Sequence, residues 1–333
     1  MDILKLLQYG SAKLIADSDK ADKEKAGTLR GGSGGWISED LQYVTGRCPR
    51  LAWARYAGFT TEDNADKEPM FSAGHLSEDG VCNVLSAANI QYLRESSVPT
   101  SWTTANGTLV TGRPDIVLTD GGEKLSHGLE LKLVSSLWTA LEILQTPKTD
   151  HVIQATHYSK QLNIPYSIVY VNRTNWSLLS DFALKKAPKE GEAGSELLNY
   201  KEYKKKLDNG KTIKYRAPKD MKPFYRVFPL NFDEHGQVQI DTGKEIITSF
   251  ITWEGIERYY NFVSMINTTG NCGPVPTAVD LAGNSKSYKA CEYCNLDKIC
   301  NRTPNMSLDL FTKICETVQA EILSNRDELF NKE

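Results

Sequence analysis

The sequence has no apolar run approaching the ~18 residues that would read as a membrane span. Its start (Met1, Asp2, Ile3, Leu4, Lys5) lacks the long apolar stretch of a signal peptide, so a cytoplasmic protein is expected. No GxxxxGK(S/T) phosphate loop occurs, which argues against a nucleotide-driven motor of that type. Net charge is also scarce: 39 Lys and Arg stand against 42 Asp and Glu, a formal −3. That balance excludes a surface coated in positive potential, and any contact with a polyanion must come from a local patch. Seven cysteines, an odd number, argue against a disulfide framework and make metal ligation the better expectation for any that cluster. There is no internal repeat. With 333 residues, 40% of them hydrophobic, the chain is long enough for a sizeable core.

Apolar periodicity orders the chain. Ile3 to Ala16 has helical spacing and is followed by a charged run and by Gly31, Gly32, Ser33, Gly34 and Gly35, so 1–36 reads as a helix on a flexible tether. Residues 37–100 read as helical, with a start at Ser38, Glu39 and Asp40, a first cysteine at Cys48 and a long helix from Glu68 to Leu93. From residue 101 the period changes. Thr108 to Leu118 and Leu125 to Val134 read as a β-hairpin turning at Asp120, Gly121 and Gly122. A helix from His151 to Leu162 and a strand at Ile168 to Val171 complete a core over 101–180. The order of elements predicts an α/β fold with a mixed sheet flanked by helices. Residues 181–285 hold a basic insertion, a strand from Tyr225 to Leu230 and a helix from Glu245 to Ile266; 286–333 hold three cysteines and a helix from Ser307 to Phe330.

Chemistry concentrates on the predicted hairpin. Asp115 lies on its first strand, and after fourteen residues Glu130, Leu131 and Lys132 lie on the second. Side chains alternate along a strand, so Glu130 and Lys132 share one face while Leu131 points to the other. A paired strand brings Asp115 beside them. Two carboxylates are the hard oxygen ligands that Mg²⁺ or Mn²⁺ prefers, and an ammonium beside them can orient a water or oppose developing negative charge.

The run Pro114, Asp115, then Glu130, Leu131, Lys132 resembles the signature of the PD-(D/E)xK nuclease superfamily. Gln154 and Tyr158, four apart on the following helix, resemble the QxxxY motif of its RecB-type exonuclease branch. The resemblance covers roughly residues 40 to 305, more loosely from 180 to 290. It implies a restriction-endonuclease-like core, metal-dependent cleavage of DNA, and catalytic roles for Asp115, Glu130, Lys132, Gln154 and Tyr158. The branch also places a metal ligand upstream in a GxxxH pattern. Here Gly74 is followed by Glu78 in that register, with His75 as the rival, so the metal set reads Asp115, Glu130 and either Glu78 or His75.

Cys291, Cys294 and Cys300 are spaced like ligands, and Cys48, within Gly46, Arg47, Cys48, Pro49 and Arg50, is the natural fourth. Spacing alone admits tetrahedral zinc or a cubane cluster. One cysteine before the core and three after it resembles the iron–sulfur members of the RecB-type branch, including the nuclease domain of AddB and the CRISPR-associated Cas-four family, which implies [4Fe–4S]. Such a cluster joins the N- and C-terminal helical segments. Cys82, Cys272 and Cys315 read as ordinary small apolar residues.

The local basic patch lies between Lys201 and Arg226, with ten Lys or Arg against three acids and Lys204, Lys205 and Lys206 at its centre. With Arg113, Tyr158, Tyr203, Tyr215, Phe224, Tyr225 and Trp102 it suits a single DNA strand, through phosphate contact and base stacking. The resemblance implies a stand-alone exonuclease on single-stranded DNA ends, in recombination, repair, phage replication or CRISPR adaptation, with protein partners from those processes. A structure-specific endonuclease and a non-catalytic DNA-binding or assembly module are the alternatives.

Overall fold

A computed structural model describes residues 3–24, 26–61, 68–95, 97–122, 124–172, 200–206, 212–218, 225–273, 277–286 and 306–330. It also describes residues 189, 192, 193, 195, 210, 291, 294, 296, 300 and 303. Helix α1 (Ile3–Lys23) is followed by β1 (Thr28–Arg30), the hairpin β2 (Gly35–Ile37) and β3 (Val44–Gly46), and α2 (Pro49–Tyr56). Pro49 opens α2, where a missing amide costs no helical hydrogen bond. The helix expected at Ser38 is instead a turn: the Ser38 hydroxyl donates to Asp40 Oδ1, which also accepts from the Gln42 amide. Those polar groups close on one another and cap nothing.

Helix α3 (Glu68–Ala87) is shorter than the predicted Glu68 to Leu93. Asn89 takes a left-handed conformation (φ 56°), after which β4 (Tyr92–Arg94) pairs with Ile116 to Leu118. The strand predicted from Thr108 to Leu118 divides in two. After β5 (Thr100–Thr103), β6 (Leu109–Gly112) ends before Arg113 and Pro114, and β7 (Ile116–Thr119) begins beyond them in another sheet. Proline has no amide for a ladder, so the chain crosses between sheets there.

Strand β8 (Leu125–Val134), α4 (Leu137–Gln145), α5 (Thr149–Leu162) and β9 (Tyr166–Asn172) follow. The expected mobile insertion contains an antiparallel hairpin, β10 (Tyr200–Lys206) with β11 (Thr212–Pro218); much of its remainder lies outside the described residues. Next come β12 (Tyr225–Phe232), β13 (Gln237–Asp241), β14 (Ile246–Thr252) and α6 (Trp253–Thr269). The helix predicted from Glu245 therefore starts only at Trp253. The β-branched run Ile246, Ile247, Thr248 pairs with β13, and Thr252 caps α6 by accepting from the Gly255 amide. The short pair β15 (Ala278–Val279) and β16 (Ser285–Lys286) precedes α7 (Leu308–Phe330).

The fold is mixed α/β, as predicted. Its main sheet has the order β14-β13-β12-β9-β8-β7-β4, antiparallel except where β8 meets β9. That parallel pair is joined through α4 and α5, as parallel neighbours require a crossover. Helices α5 and α6 cover one face with a large core that includes Val152, Ile153, Ile168, Tyr170, Phe228, Tyr259 and Tyr260. On the other face Val81 and Cys82 of α3 meet Ile116, Leu131 and Val169. No helix among the described residues is long and apolar enough to cross a membrane.

The glycine run is not a flexible tether. Gly31, Gly32 and Gly35 are buried, and the Gly31 amide donates to the Thr111 carbonyl. Gly32 combines φ +77° with a neighbour, the Tyr158 hydroxyl, that would collide with any Cβ. Only glycine meets both demands. The N-terminal segment is thereby fixed against α5.

Candidate functional site

Asp115 sits immediately before β7, opposite Glu130 in the continuing register of the β7–β8 ladder. Its Oδ2 accepts from the Leu131 amide at 2.7 Å. Glu130 is completely buried, and Oε1 accepts from Lys132 Nζ at 2.5 Å. Leu131 turns to the opposite face, into the α3 cluster. The alternation read from the sequence thus holds.

Glu130 Oε2 is buried and has no hydrogen-bond donor among the described residues. Burial, followed by the adjoining Asp115 charge, pushes the Glu130 carboxyl up to about 8, with Lys132 pulling the other way. Burial also raises Asp115, against Lys132 and the Leu131 amide. Burial opposes the Lys132 ammonium, but Glu130 and Asp115 outweigh it and hold its pKa above the usual lysine value. Glu78, on α3, is raised by burial and then by the Asp115 charge, with His75 pulling the other way. These are the surroundings of a cation site: clustered hard oxygen ligands, one of them a buried acceptor that requires a proton or a cation. The donor set fits Mg²⁺ or Mn²⁺.

A pH dependence follows. Between the ordinary value of 4.5 and about 8, folded Glu130 retains a proton that the unfolded chain releases. Its contribution to stability is therefore complete below that window and lost as pH rises through about 8. A divalent cation substitutes for the proton, so stabilisation by Mn²⁺ is expected to grow over the same window. Thermal melts from about pH 5 to about pH 9, with and without Mn²⁺, should show this for the wild type and a flatter profile for Glu130→Gln. Identical profiles for the two proteins would rule out Glu130 as the group responsible.

Both rivals for the upstream position are present together. His75 Nδ1 lies 3.6 Å from Glu78 Oε2. With Glu95, which sequence reasoning missed, they form a group whose ligand atoms lie within 4.8 Å of one another. Glu95 follows β4, and only the pairing of that short strand with β7 brings it close to Asp115.

The QxxxY pair divides in role. Gln154 is half-buried on α5. Tyr158 is 3% exposed, which corrects the expectation that it touches DNA. Its hydroxyl accepts from the Arg113 amide at 3.2 Å and faces the Gly31 carbonyl at 3.5 Å, so it fixes the chain two residues before Asp115. Trp102 is corrected likewise: it packs inward against Trp253, Tyr260 and His157. Arg113 is exposed beside the carboxylates. Lys204, Lys205 and Lys206 lie on β10, in register with Lys214, Ile213 and Thr212.

The cysteines gather around one arginine. Arg50, 2% exposed on α2, donates to Cys300 Sγ at 2.9 Å, to the Gly273 carbonyl at 3.0 Å and to the Thr303 carbonyl at 2.5 Å. Cys48 is the N-cap residue of α2; burial pushes its thiol up to about 11, a shift to which Cys300 adds. The Cys294 amide donates to the Cys291 carbonyl, and Cys294 and Cys300 both pack on the main core. Cys272 and Cys315, expected as ordinary apolar residues, are fully buried in this same region. Burial and then Cys272, Cys300 and Cys294 raise Cys315 to about 12. Cys82 lies apart, in the smaller core. A buried guanidinium that donates to sulfur and to two backbone carbonyls suits thiolates that carry negative charge. In that respect the set fits an anionic thiolate-bound metal group.

Compared with models of known protein families, with curated proteins and with solved structures, the chain matches none.

Proposed function

We propose that this chain is a metal-dependent deoxyribonuclease with a PD-(D/E)xK active site, acting on the ends of single-stranded DNA. The observation that carries the reading is the Asp115–Glu130–Lys132 group, in which Glu130 is fully buried and its Oε2 has no donor among the described residues. The succession α3, β4, β7, β8, α5, β9 supports a restriction-endonuclease-like core, because it gives three antiparallel strands, a crossover helix and a fourth, parallel strand.

In this reading Asp115 and Glu130 would hold Mg²⁺ or Mn²⁺, with Glu78 or His75 of α3 as the upstream ligand. The ion, when bound, lowers the pKa of a water and neutralises charge on the scissile phosphate. Lys132 orients the attacking water and opposes the charge that grows on the phosphate. Tyr158 keeps Asp115 in place through the Arg113 amide. Arg113, exposed two residues before Asp115, is available to a phosphate backbone, and Gln154 takes a DNA-positioning role through its place in the QxxxY pair.

Cys48, Cys291, Cys294 and Cys300 are the proposed ligands of a [4Fe–4S] cluster. Tetrahedral zinc is the alternative that the cysteine spacing also admits.

The test is incubation of end-labelled single-stranded DNA with anaerobically purified protein and Mg²⁺ or Mn²⁺, beside Asp115→Asn. Progressive shortening that is lost in the variant supports the reading, and cutting of circular DNA alone moves it to an endonuclease. No metal-dependent cutting of either substrate by cluster-loaded protein would leave a binding module.

A further inference from the structure

We propose that a pocket walled by β1, the glycine run, α2 and α6 is a phosphomonoester site, with Arg30, Arg47 and Arg55 as its anion ligands. These three arginines line it, and among the described residues no Asp or Glu does. In a chain whose acids outnumber its bases, 42 to 39, such a grouping runs against the overall charge. A lone surface arginine would carry no such meaning. Here three segments far apart in the chain bring their arginines to one hollow.

The backbone under each arginine is fixed. Arg30 ends β1, in register with Thr111, and its carbonyl accepts from the Tyr260 hydroxyl at 3.1 Å. Arg47 follows β3, and its amide donates to the Gly34 carbonyl at 3.1 Å. Arg55 lies in the last turn of α2, on the face it shares with Ala52. The small residues Gly34 and Ala52 leave the hollow open between them; Gly34 packs so closely that a Cβ on it would collide with the Tyr260 hydroxyl. Arg47 and Arg55 are half-buried and Arg30 is exposed, so positive charge runs from the interior to the mouth.

Guanidinium groups present paired N–H donors that match the oxygens of a phosphate. Three of them outweigh the single charge of a phosphodiester within a strand. A phosphomonoester, with roughly two charges at neutral pH, balances them better. The size agrees. The enclosed part is about 20 Å³, room for a water-sized group, within a hollow of about 300 Å³ that includes its open mouth. A phosphate can therefore set its oxygens inside while whatever carries it stays outside. Such a phosphate ends a DNA strand or belongs to a free mononucleotide. The first source rests on the nuclease reading above; the pocket does not.

The experiment measures binding to cluster-loaded protein without divalent ions, so that no cleavage enters. One set of probes is a labelled single-stranded oligonucleotide with a 5′-phosphate, a 3′-phosphate or hydroxyl ends, read by fluorescence anisotropy. The other is deoxyadenosine monophosphate and inorganic phosphate, read by calorimetry. A charge-assisted hydrogen bond is worth about tenfold or more in affinity, so one phosphorylated end should bind about tenfold tighter than the hydroxyl-ended strand. Arg30→Gln and Arg55→Gln should each remove that preference, with hydroxyl-ended binding, iron content and melting temperature retained. Arg55→Lys, which keeps the charge without the fork, should keep part of it. No end preference, but heat from the mononucleotide or phosphate that depends on Arg30 and Arg55, keeps the pocket and assigns it to the free species. Absence of both signals, or signals that both glutamine substitutions leave untouched, overturns it. Either result is independent of whether Asp115 and Glu130 support cleavage, so the pocket and the nuclease reading fail separately.

Discussion

Lys132→Ala is expected to reduce metal-dependent DNA cleavage by about 10²–10³-fold, the usual cost of removing one group aimed at transition-state charge. The side chain is the cation nearest to both Glu130 and Asp115, so its loss affects the charge balance as well as the chemistry. Breaking a buried ion pair ordinarily destabilises a fold by about 3–5 kcal/mol. Here the penalty is limited, because Glu130 already holds its proton up to about pH 8 and can remain neutral when the ammonium is gone. The variant should therefore fold with a modest loss of melting temperature while cleavage collapses. The two readouts separate a catalytic role from a structural one. A cleavage rate within tenfold of wild type, in a preparation with unchanged metal content, would remove Lys132 from the mechanism.

Arg50→Leu is expected to have the largest effect on stability. The substitution leaves the Gly273 and Thr303 carbonyls and Cys300 Sγ without their guanidinium donor. An unpaired buried group costs about 1–3 kcal/mol, with loss of a charged donor at the upper end of that range. The Gly273 contact is buried and those to Cys300 and Thr303 are partly so, which makes the loss a large fraction of a typical domain's stability. Since Thr303 and Cys300 belong to the segment that carries the later cysteines, the expected result is a large fall in melting temperature together with loss of iron and acid-labile sulfide. Arg50→Lys should recover only part of it, because an ammonium keeps the charge but not the fork that reaches three acceptors. Arg50→Leu protein with wild-type melting and full iron content would show that the arginine does not support the cysteine site.

Local rules account for what was legible. Strand alternation placed Glu130 and Lys132 opposite Leu131, and helical register placed His75 and Glu78 side by side on α3. Contacts made by distant segments were not legible. Glu95 is an isolated acid in a turn, significant only because β4 pairs with β7. The signal that could have found it was a short β-compatible run, Tyr92 to Arg94, ending just before a carboxylate. Trp102 and Tyr158 looked suited to base stacking because aromatic residues serve surfaces and cores alike; only packing against Trp253, Tyr260 and the glycine run assigned them to the interior. The strand β14 was hidden because its apolar residues continue into α6 without a break in hydrophobicity. Arg50 was visible within Gly46 to Arg50, but its three acceptors lie more than 220 residues away.

That last distance bears on how the protein is made. Trp36 donates to Thr252, Trp53 to Asn267, the Thr60 amide to Gln319, and buried Arg326 holds Asp19 at 2.6 Å. Several hydrogen bonds of the first sixty residues thus form only with segments translated much later. During synthesis they emerge long before those partners exist, at a rate of roughly 5–20 residues per second. Their apolar surfaces, Trp53 among them, are expected to wait exposed for many seconds. A chain cut back through Arg326 should therefore aggregate, not fold with a frayed C-terminal helix.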